Sequence, residues 1–488
     1  MEEKTFSALI PTGVPGLDDI LRGGLTEGKM YLLSGSPGTG KTTFSLQFIT
    51  EGISRGERCL YITVGSAGED FVALAKACSV FLDPDLFSLH SVQISGDILG
   101  GPEQRIFHSA EAEPAGAIND LLTEIRRVRP KRLVIDSMSD LRLLSDDLVS
   151  YRRLVLAMRR ELGAGDCTVV ITNNIGQSEL DAHLETICHG VIRLEQVVLG
   201  YGPVRRRLLV LKERGRAYRS GWHDFKIEAA GIRVFPALIA GEHRQKARGE
   251  QVDSGNKNLD LLFDGGLDRG STTVIIGASG TGKTTIANLY AVAAARRGEH
   301  VAVYLFDETD ESYRERAEGL GLGVDSLVNS GLMTLRQINV AEFSRGEFTA
   351  MLIREVEENS AQIVVIDTLS GYASAMPDEK YLIIQLHELL TYLCQKGVTT
   401  ILTVEQHGLF GSLTTEVENV SYLADSILLI RFFELRGEIR RAISVVKRRR
   451  GKHEKTIREL TFSAEGIIIG NTLLEMQGVL TGVPILGV

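Results

Sequence analysis

The phosphate-binding loop pattern G-x-x-x-x-G-K-[ST] occurs twice in this chain, as GSPGTGKTT from Gly35 and GASGTGKTT from Gly277. Its lysines, Lys41 and Lys283, lie 242 residues apart in a chain of 488, so the pattern recurs at almost half the length. That spacing points to a tandem duplication of one folding unit. Each copy follows the same prelude, GGLTEG at 23–28 or GGLDRG at 265–270, and an apolar strand, MYLLSG or TTVIIG. Later segments also repeat. RLVIDS ends at Ser137 and IVVIDT at Thr368, an offset of 231; LKERG at 211–215 pairs with VKRRR at 446–450, an offset of 235. The polar run GEHRQKARGEQ before VDSGNKNLDLLFDGG sets an expected boundary near 245, with domains over 1–245 and 246–488.

Apolar residues make up 43% and charged residues 24%, which suits a folded core in each half. No stretch nears the roughly 18 uninterrupted apolar residues that span a bilayer. The opening MEEKTFSALI lacks the basic-then-apolar order of a signal peptide, so a cytoplasmic protein with no membrane partner is expected. The five cysteines form no C-x-x-C pair, which argues against a zinc ribbon or a disulfide framework. A net charge of −9 gives no global attraction for nucleic acid.

Within each half short apolar strands alternate with helical patterns, as in TTFSLQFITEGISRG, CLYITV and VALAKACSVF. The alternation predicts an α/β fold, a mostly parallel sheet flanked by helices on both faces. The stretch 95–116, rich in Gly, Pro and mixed charge, reads as a long surface loop.

In a phosphate loop the glycines let successive backbone N–H groups converge on an anion at a helix start. The lysine adds a point charge and the following hydroxyl a magnesium ligand. The expected ATP or ADP contacts are therefore Gly35, Ser36, Pro37, Gly38, Thr39, Gly40, Lys41, Thr42 and Thr43 in the first half. In the second they are Gly277, Ala278, Ser279, Gly280, Thr281, Gly282, Lys283, Thr284 and Thr285. Asp136 and Asp367, each ending an apolar strand, are expected to hold Mg2+ or its water shell together with Thr42 and Thr284. Hydrolysis also needs a carboxylate beside the γ-phosphate to orient and deprotonate water. VAVYLF ends in Asp307 and Glu308, whereas the 242-residue offset puts Gly65 and Ser66 at the end of CLYITV. The second site is expected to carry the chemistry and the first to bind nucleotide with weak or no hydrolysis. Glu69 and Asp70 remain alternative carboxylates for the first site.

These motifs, with ELRGEIRRAISVVKRRRGKHEKTIREL at 434–460, resemble the KaiC family of circadian-clock ATPases and autokinases over nearly the whole chain. The resemblance implies two tandem RecA-like P-loop domains and a double-ring homohexamer with ATP at subunit interfaces. It implies serine/threonine autokinase activity in the second domain and a KaiB-like or other signalling partner. By position it makes Asp307 and Glu308 the catalytic pair, where the family usually has two glutamates. It makes Lys212 and Arg214, and Lys447 and Arg449, interface lysines and arginine fingers. Ser421 falls on a phosphoacceptor position; Tyr422 replaces the neighbouring threonine, and Thr414 and Thr415 lie close by. The chain ends in LLEMQGVLTGVPILGV without a charged extension, so a tail-binding activator is not expected. The apolar ending is expected to pack on its own domain or a ring neighbour.

Two other readings follow from the same residues. An ATP-gated scaffold would use bound nucleotide to hold an assembly together. A RecA- or helicase-like DNA motor would share the fold without sharing the function. Its expected pore segments, TNNIGQSELDAHLE and EQHGLFGSLTTEVE, lack the basic residues that phosphate contacts need.

Overall fold

A computed structural model describes residues 8–64, 67–78, 80–92, 113–143, 148–163, 166–175, 179–198, 203–239, 249–339, 343–374, 382–406, 422–463, 466–474, 476–479 and 485–486. The chain forms two compact units, Met1–Ala237 and Leu238–Val488. The expected boundary at 245 lies outside the described residues, as do Gly65, Ser66, Thr414, Thr415 and Ser421.

MYLLSG offers no polar face, so it belongs at the centre of a sheet covered on both sides. The strand Met30–Gly35 is buried at every residue and lies between parallel strands Thr168–Asn174 and Gly190–Val197. Beyond Thr168–Asn174 come Arg132–Asp136, Cys59–Val64 and Phe87–Val92, all parallel. Beyond Gly190–Val197 an antiparallel arm follows, formed by Arg205–Glu213, Trp222–Glu228 and Gly231–Phe235. Side chains alternate between two cores. Tyr31 and Leu33 pack with Phe44, Phe48 and Ile49 of helix Lys41–Ser54. Met30 and Leu32 pack on the other face with helices Glu113–Val128 and Leu148–Gly163.

The second unit repeats this order. Thr272–Gly277 lies between parallel Thr399–Glu405 and Ser426–Leu435. Ile363–Asp367, Val301–Leu305 and Met333–Gln337 extend one side. The antiparallel arm Glu438–Arg448, Arg458–Ser463 and Gly466–Thr472 extends the other. Ile275 meets helix Lys283–Arg296, while Val274 and Ile276 meet helices Arg345–Glu357 and Leu382–Gln395. Each unit is thus a RecA-like domain, and its parallel strands all direct their C-terminal ends to one edge, where ligand sites form.

One sequence reading changes at this level. Helix Glu113–Val128 takes up the last four residues of the loop expected over 95–116, whose residues 95–112 lie outside the described residues. Pro114 sits in its first turn, where a missing N–H leaves no hydrogen bond unmade. Near the C-terminus, Val479 is buried against Phe433 and Ala442 of its own unit.

Candidate functional site

Both phosphate loops turn from the central strand into a helix through glycines that no other residue could replace without strain. Gly40 and Gly282 each have φ 99°. A Cβ on Gly282 would fall 2.1 Å from Phe462 Cζ, and one on Gly40 would fall 2.8 Å from Ile227 Cδ1. The antiparallel arm therefore closes over each loop, with a phenylalanine in the second unit where the first has an isoleucine.

Lys41 Nζ donates to the carbonyls of Gly35 at 2.8 Å and Ser36 at 3.0 Å; Lys283 Nζ donates to Ala278 O at 2.9 Å. Burial lowers both lysine pKa values. The charge of Asp136 opposes that shift at Lys41, and those of Glu405, Asp367 and Asp307 oppose it at Lys283. Thr42 Oγ1 donates to Asp136 Oδ2 at 3.2 Å, and Thr284 likewise hydrogen-bonds Asp367. The structure thus brings each loop together with its expected metal-site aspartate. The peptide bond after each aspartate is cis.

Further donors reach these aspartates from residues that motif spacing did not single out. Thr172 Oγ1 donates to Asp136 Oδ1 at 2.5 Å, and Thr403 Oγ1 donates to Asp367 Oδ1. Both threonines stand on the strand next to the central one, at the same 231-residue offset as the aspartates, and that offset is the signal that would have found them. Tyr61 Oη donates to Asp136 Oδ2 at 2.5 Å. Burial and the Asp136 charge hold that phenol well above its ordinary pKa, so it stays protonated. The 242-residue offset puts Val303 there in the second unit, without a hydroxyl.

A hydroxyl paired with a carboxylate at a strand end suits magnesium, which prefers hard oxygen ligands and keeps several waters and phosphates in its shell. Among the described residues no three His, Cys, Asp or Glu side chains cluster as a dedicated metal cage. Thr42 with Asp136, and Thr284 with Asp367, are the residues that fit such an ion.

The two sites differ in their acids. Thr63 pairs with Asp136 across the ladder, and Leu305 pairs with Asp367. Gly65 and Ser66 therefore follow Thr63 at the same distance as Asp307 and Glu308 follow Leu305. A second difference appears at the neighbouring strand, where Asn174 pairs with Gly35 but Glu405 pairs with Gly277. Asp307, Glu308, Asp367 and Glu405 line a cavity of about 440 Å3 together with Lys283, Thr284, Arg316 and Arg441. Asp307 accepts from Thr368 Oγ1. Glu308 accepts from Arg316 through both oxygens, at 2.7 and 2.8 Å.

The expected finger residues lie elsewhere. Lys212 is opposite Val191, whose parallel neighbour is Leu32, and Lys447 is opposite Ile427, whose neighbour is Val274. Each is three residues, about 10 Å along the strand, below the glycine that opens its own loop. Lys212 Nζ donates to the carbonyls of Glu185 at 2.5 Å and Cys188 at 2.7 Å, and Arg214 Nη2 donates to Thr186 O at 2.6 Å. Arg449 Nη2 donates to Tyr422 O at 3.0 Å. Burial, then the adjacent arginine charge, lowers the pKa of Lys212 and of Lys447. Beside Arg214, Lys29, Arg159 and His189 line a second cavity of about 440 Å3. Burial and the surrounding cations push His189 down to about 4.

A family model described as "ATPase: KaiC" matches residues 10–239 and 252–473. The chain is 28% identical over 488 residues to the circadian clock protein KaiC3 of Synechocystis sp., covering 97% of this chain and 94% of that protein. It is also 28% identical over 484 residues to the circadian clock oscillator protein KaiC of Thermostichus vulcanus, covering 97% and 91%. The corresponding protein of Acaryochloris marina is 27% identical over 485 residues, again covering 97% and 91%.

Proposed function

Because the chain belongs to the KaiC family of ATPases, we propose that it forms a double ring of six copies that binds ATP in both domains and hydrolyses it in the second. The observation that carries this reading is the unequal supply of acids at positions that the repeat makes equivalent. Asp307 and Glu308 line the second site at the positions where the sequence repeat has Gly65 and Ser66, and Glu405 pairs with Gly277 where Asn174 pairs with Gly35. Removing a general base typically slows such a reaction by about two to four powers of ten, so the first site holds nucleotide with weak or no turnover.

In the second domain the loop N–H groups and Lys283 bind the triphosphate, with Thr284 and Asp367 as the residues that would hold magnesium. The ion, when bound, supplies Lewis-acid neutralisation of phosphate charge. The Asp307–Glu308 pair takes a proton from water as its oxygen bonds the γ-phosphorus. The bond from that phosphorus to the β–γ bridging oxygen breaks, and ADP leaves. Lys447 and Arg449, remote from their own loop, serve a neighbouring copy, where a guanidinium neutralises charge on the transferring group. Lys212 and Arg214 do the same for the first ring. When the Ser421 hydroxyl replaces water, the product is a phosphoserine, which makes the second domain a serine/threonine autokinase. The state of the rings then acts as a timing or signalling switch read by a KaiB-like or other signalling protein. The first domain acts as the ATP-gated scaffold of that assembly.

Purified protein in magnesium ATP tests this reading by phosphate release, sizing and phosphopeptide mapping. Asp307→Asn/Glu308→Gln is expected to lose at least a hundredfold in turnover, and phosphate at Ser421, while remaining hexameric. Lys41→Ala is expected to disrupt the hexamer more than Lys283→Ala does. Turnover that persists in the double variant would move the catalytic centre to the first domain.

A further inference from the structure

We infer that Arg316 is a positioning residue that restrains Glu308 and so limits the turnover of the second site. The inference rests on the reading of Asp307 and Glu308 as the hydrolytic pair. Arg316 stands on helix Asp310–Gly319, eight residues beyond Glu308, and lines the same cavity as Lys283, Thr284 and Asp367. Its Nη1 and Nη2 donate to Oε1 and Oε2 of Glu308 at 2.7 and 2.8 Å, and Ser312 Oγ adds a third donor to Oε1 at 3.1 Å. A carboxylate offers about four lone-pair directions, so three are already committed when a water must be oriented. The guanidinium is steadied 5.7 Å over the ring of Tyr313, which is fully buried and hydrogen-bonded to Asn288.

The arginine accompanies the acids. The 242-residue offset from Arg316 leads to Leu74, a partly buried side chain packed against the first unit's core. The half without a strand-end carboxylate pair thus carries no arginine at this position either. A purely structural ion pair has no reason to track the catalytic carboxylate and point into the nucleotide cavity.

The side chains of Arg316 and Glu308 are 38% and 19% exposed, so the pair can open. Pairs this accessible hold their partners with modest strength that salt screens. Glu308 is then free for a minor fraction of the time, and the rate of water activation scales with that fraction. Removing the fork is expected to raise kcat about fivefold, the factor that a modest, partly exposed pair can impose.

Phosphate release at saturating ATP tests the inference in Arg316→Gln, Arg316→Lys, Glu308→Gln and Arg316→Gln/Glu308→Gln. The expected result is a several-fold gain in kcat with little change in KM for Arg316→Gln and a smaller gain for Arg316→Lys. The gain should vanish in the Glu308→Gln background. Added potassium chloride should raise kcat of the unaltered protein but not of Arg316→Gln, a response that a merely structural role would not produce. A fall in kcat toward that of Glu308→Gln would show that the arginine aids the reaction, and an unchanged kcat would show no restraint; either overturns the inference. Full turnover in Glu308→Gln would instead overturn the underlying assignment of the base. Arg316→Lys keeps the charge and the packing, so it decides the matter should the glutamine variant fail to fold.

Discussion

Asp367 shows how a single carboxylate trades stability for function. It is buried beneath the phosphate loop, and burial raises its pKa above the ordinary 3.8 although hydroxyls of Thr403 and Thr284 oppose the shift. The burial penalty falls on the ionised form, so it is absent below 3.8 and fully present above the raised value. Asp367→Asn is therefore expected to stabilise the nucleotide-free protein at pH 7 and to lose this advantage as the pH falls toward 4. Urea denaturation of both proteins at the two pH values checks the sign. The same variant should lose magnesium-dependent nucleotide binding, because a neutral amide is a poorer partner for a hard cation.

The crossing of helix Lys41–Ser54 over strand Arg132–Asp136 is filled in an unusual way. Arg132 is fully buried, pairs with Glu57 at 2.6 Å, and donates to the carbonyls of Pro11 and Phe48. It fits because Gly52 lacks a side chain: a Cβ there would lie 2.6 Å from Arg132 Cδ. The repeat offsets place Ala294 and Ile363 at this crossing in the second unit, both fully buried. Gly52→Ala is expected to destabilise the first unit by about 1–3 kcal/mol through overpacking, measurable by chemical denaturation. The alternation of strands and helices and the loop–aspartate pairs were legible in the sequence because local spacing and hydrophobic pattern encode them. Arg316, Tyr61 and Phe462 were not. Tyr61 acquires its role only where the ladder sets its strand beside Arg132–Asp136, so that its hydroxyl reaches Asp136, and Phe462 only because the arm folds back over Gly282, 180 residues earlier. The end of the loop expected over 95–116 was misplaced for a local reason, since Pro114 in a first helical turn looks like a breaker when read without its neighbours.

Across the whole molecule, each unit carries its phosphate loop at one edge of the sheet and the residues proposed as fingers near the other. In the proposed ring a copy is a donor at one end and an acceptor at the other, so defects in the two ends should be separable. Lys283→Ala spoils the acceptor and Arg449→Ala the donor, and each alone should be inactive. Mixed in equal amounts and allowed to exchange subunits, the two dead proteins should regain about a quarter of normal turnover, since head-to-tail contacts pair an intact end of each at one interface in four. No recovery after verified exchange would mean that each copy serves itself. Recovery would make complementation between inactive alleles a heritable property of this gene, written by which edge of a sheet a strand ends on.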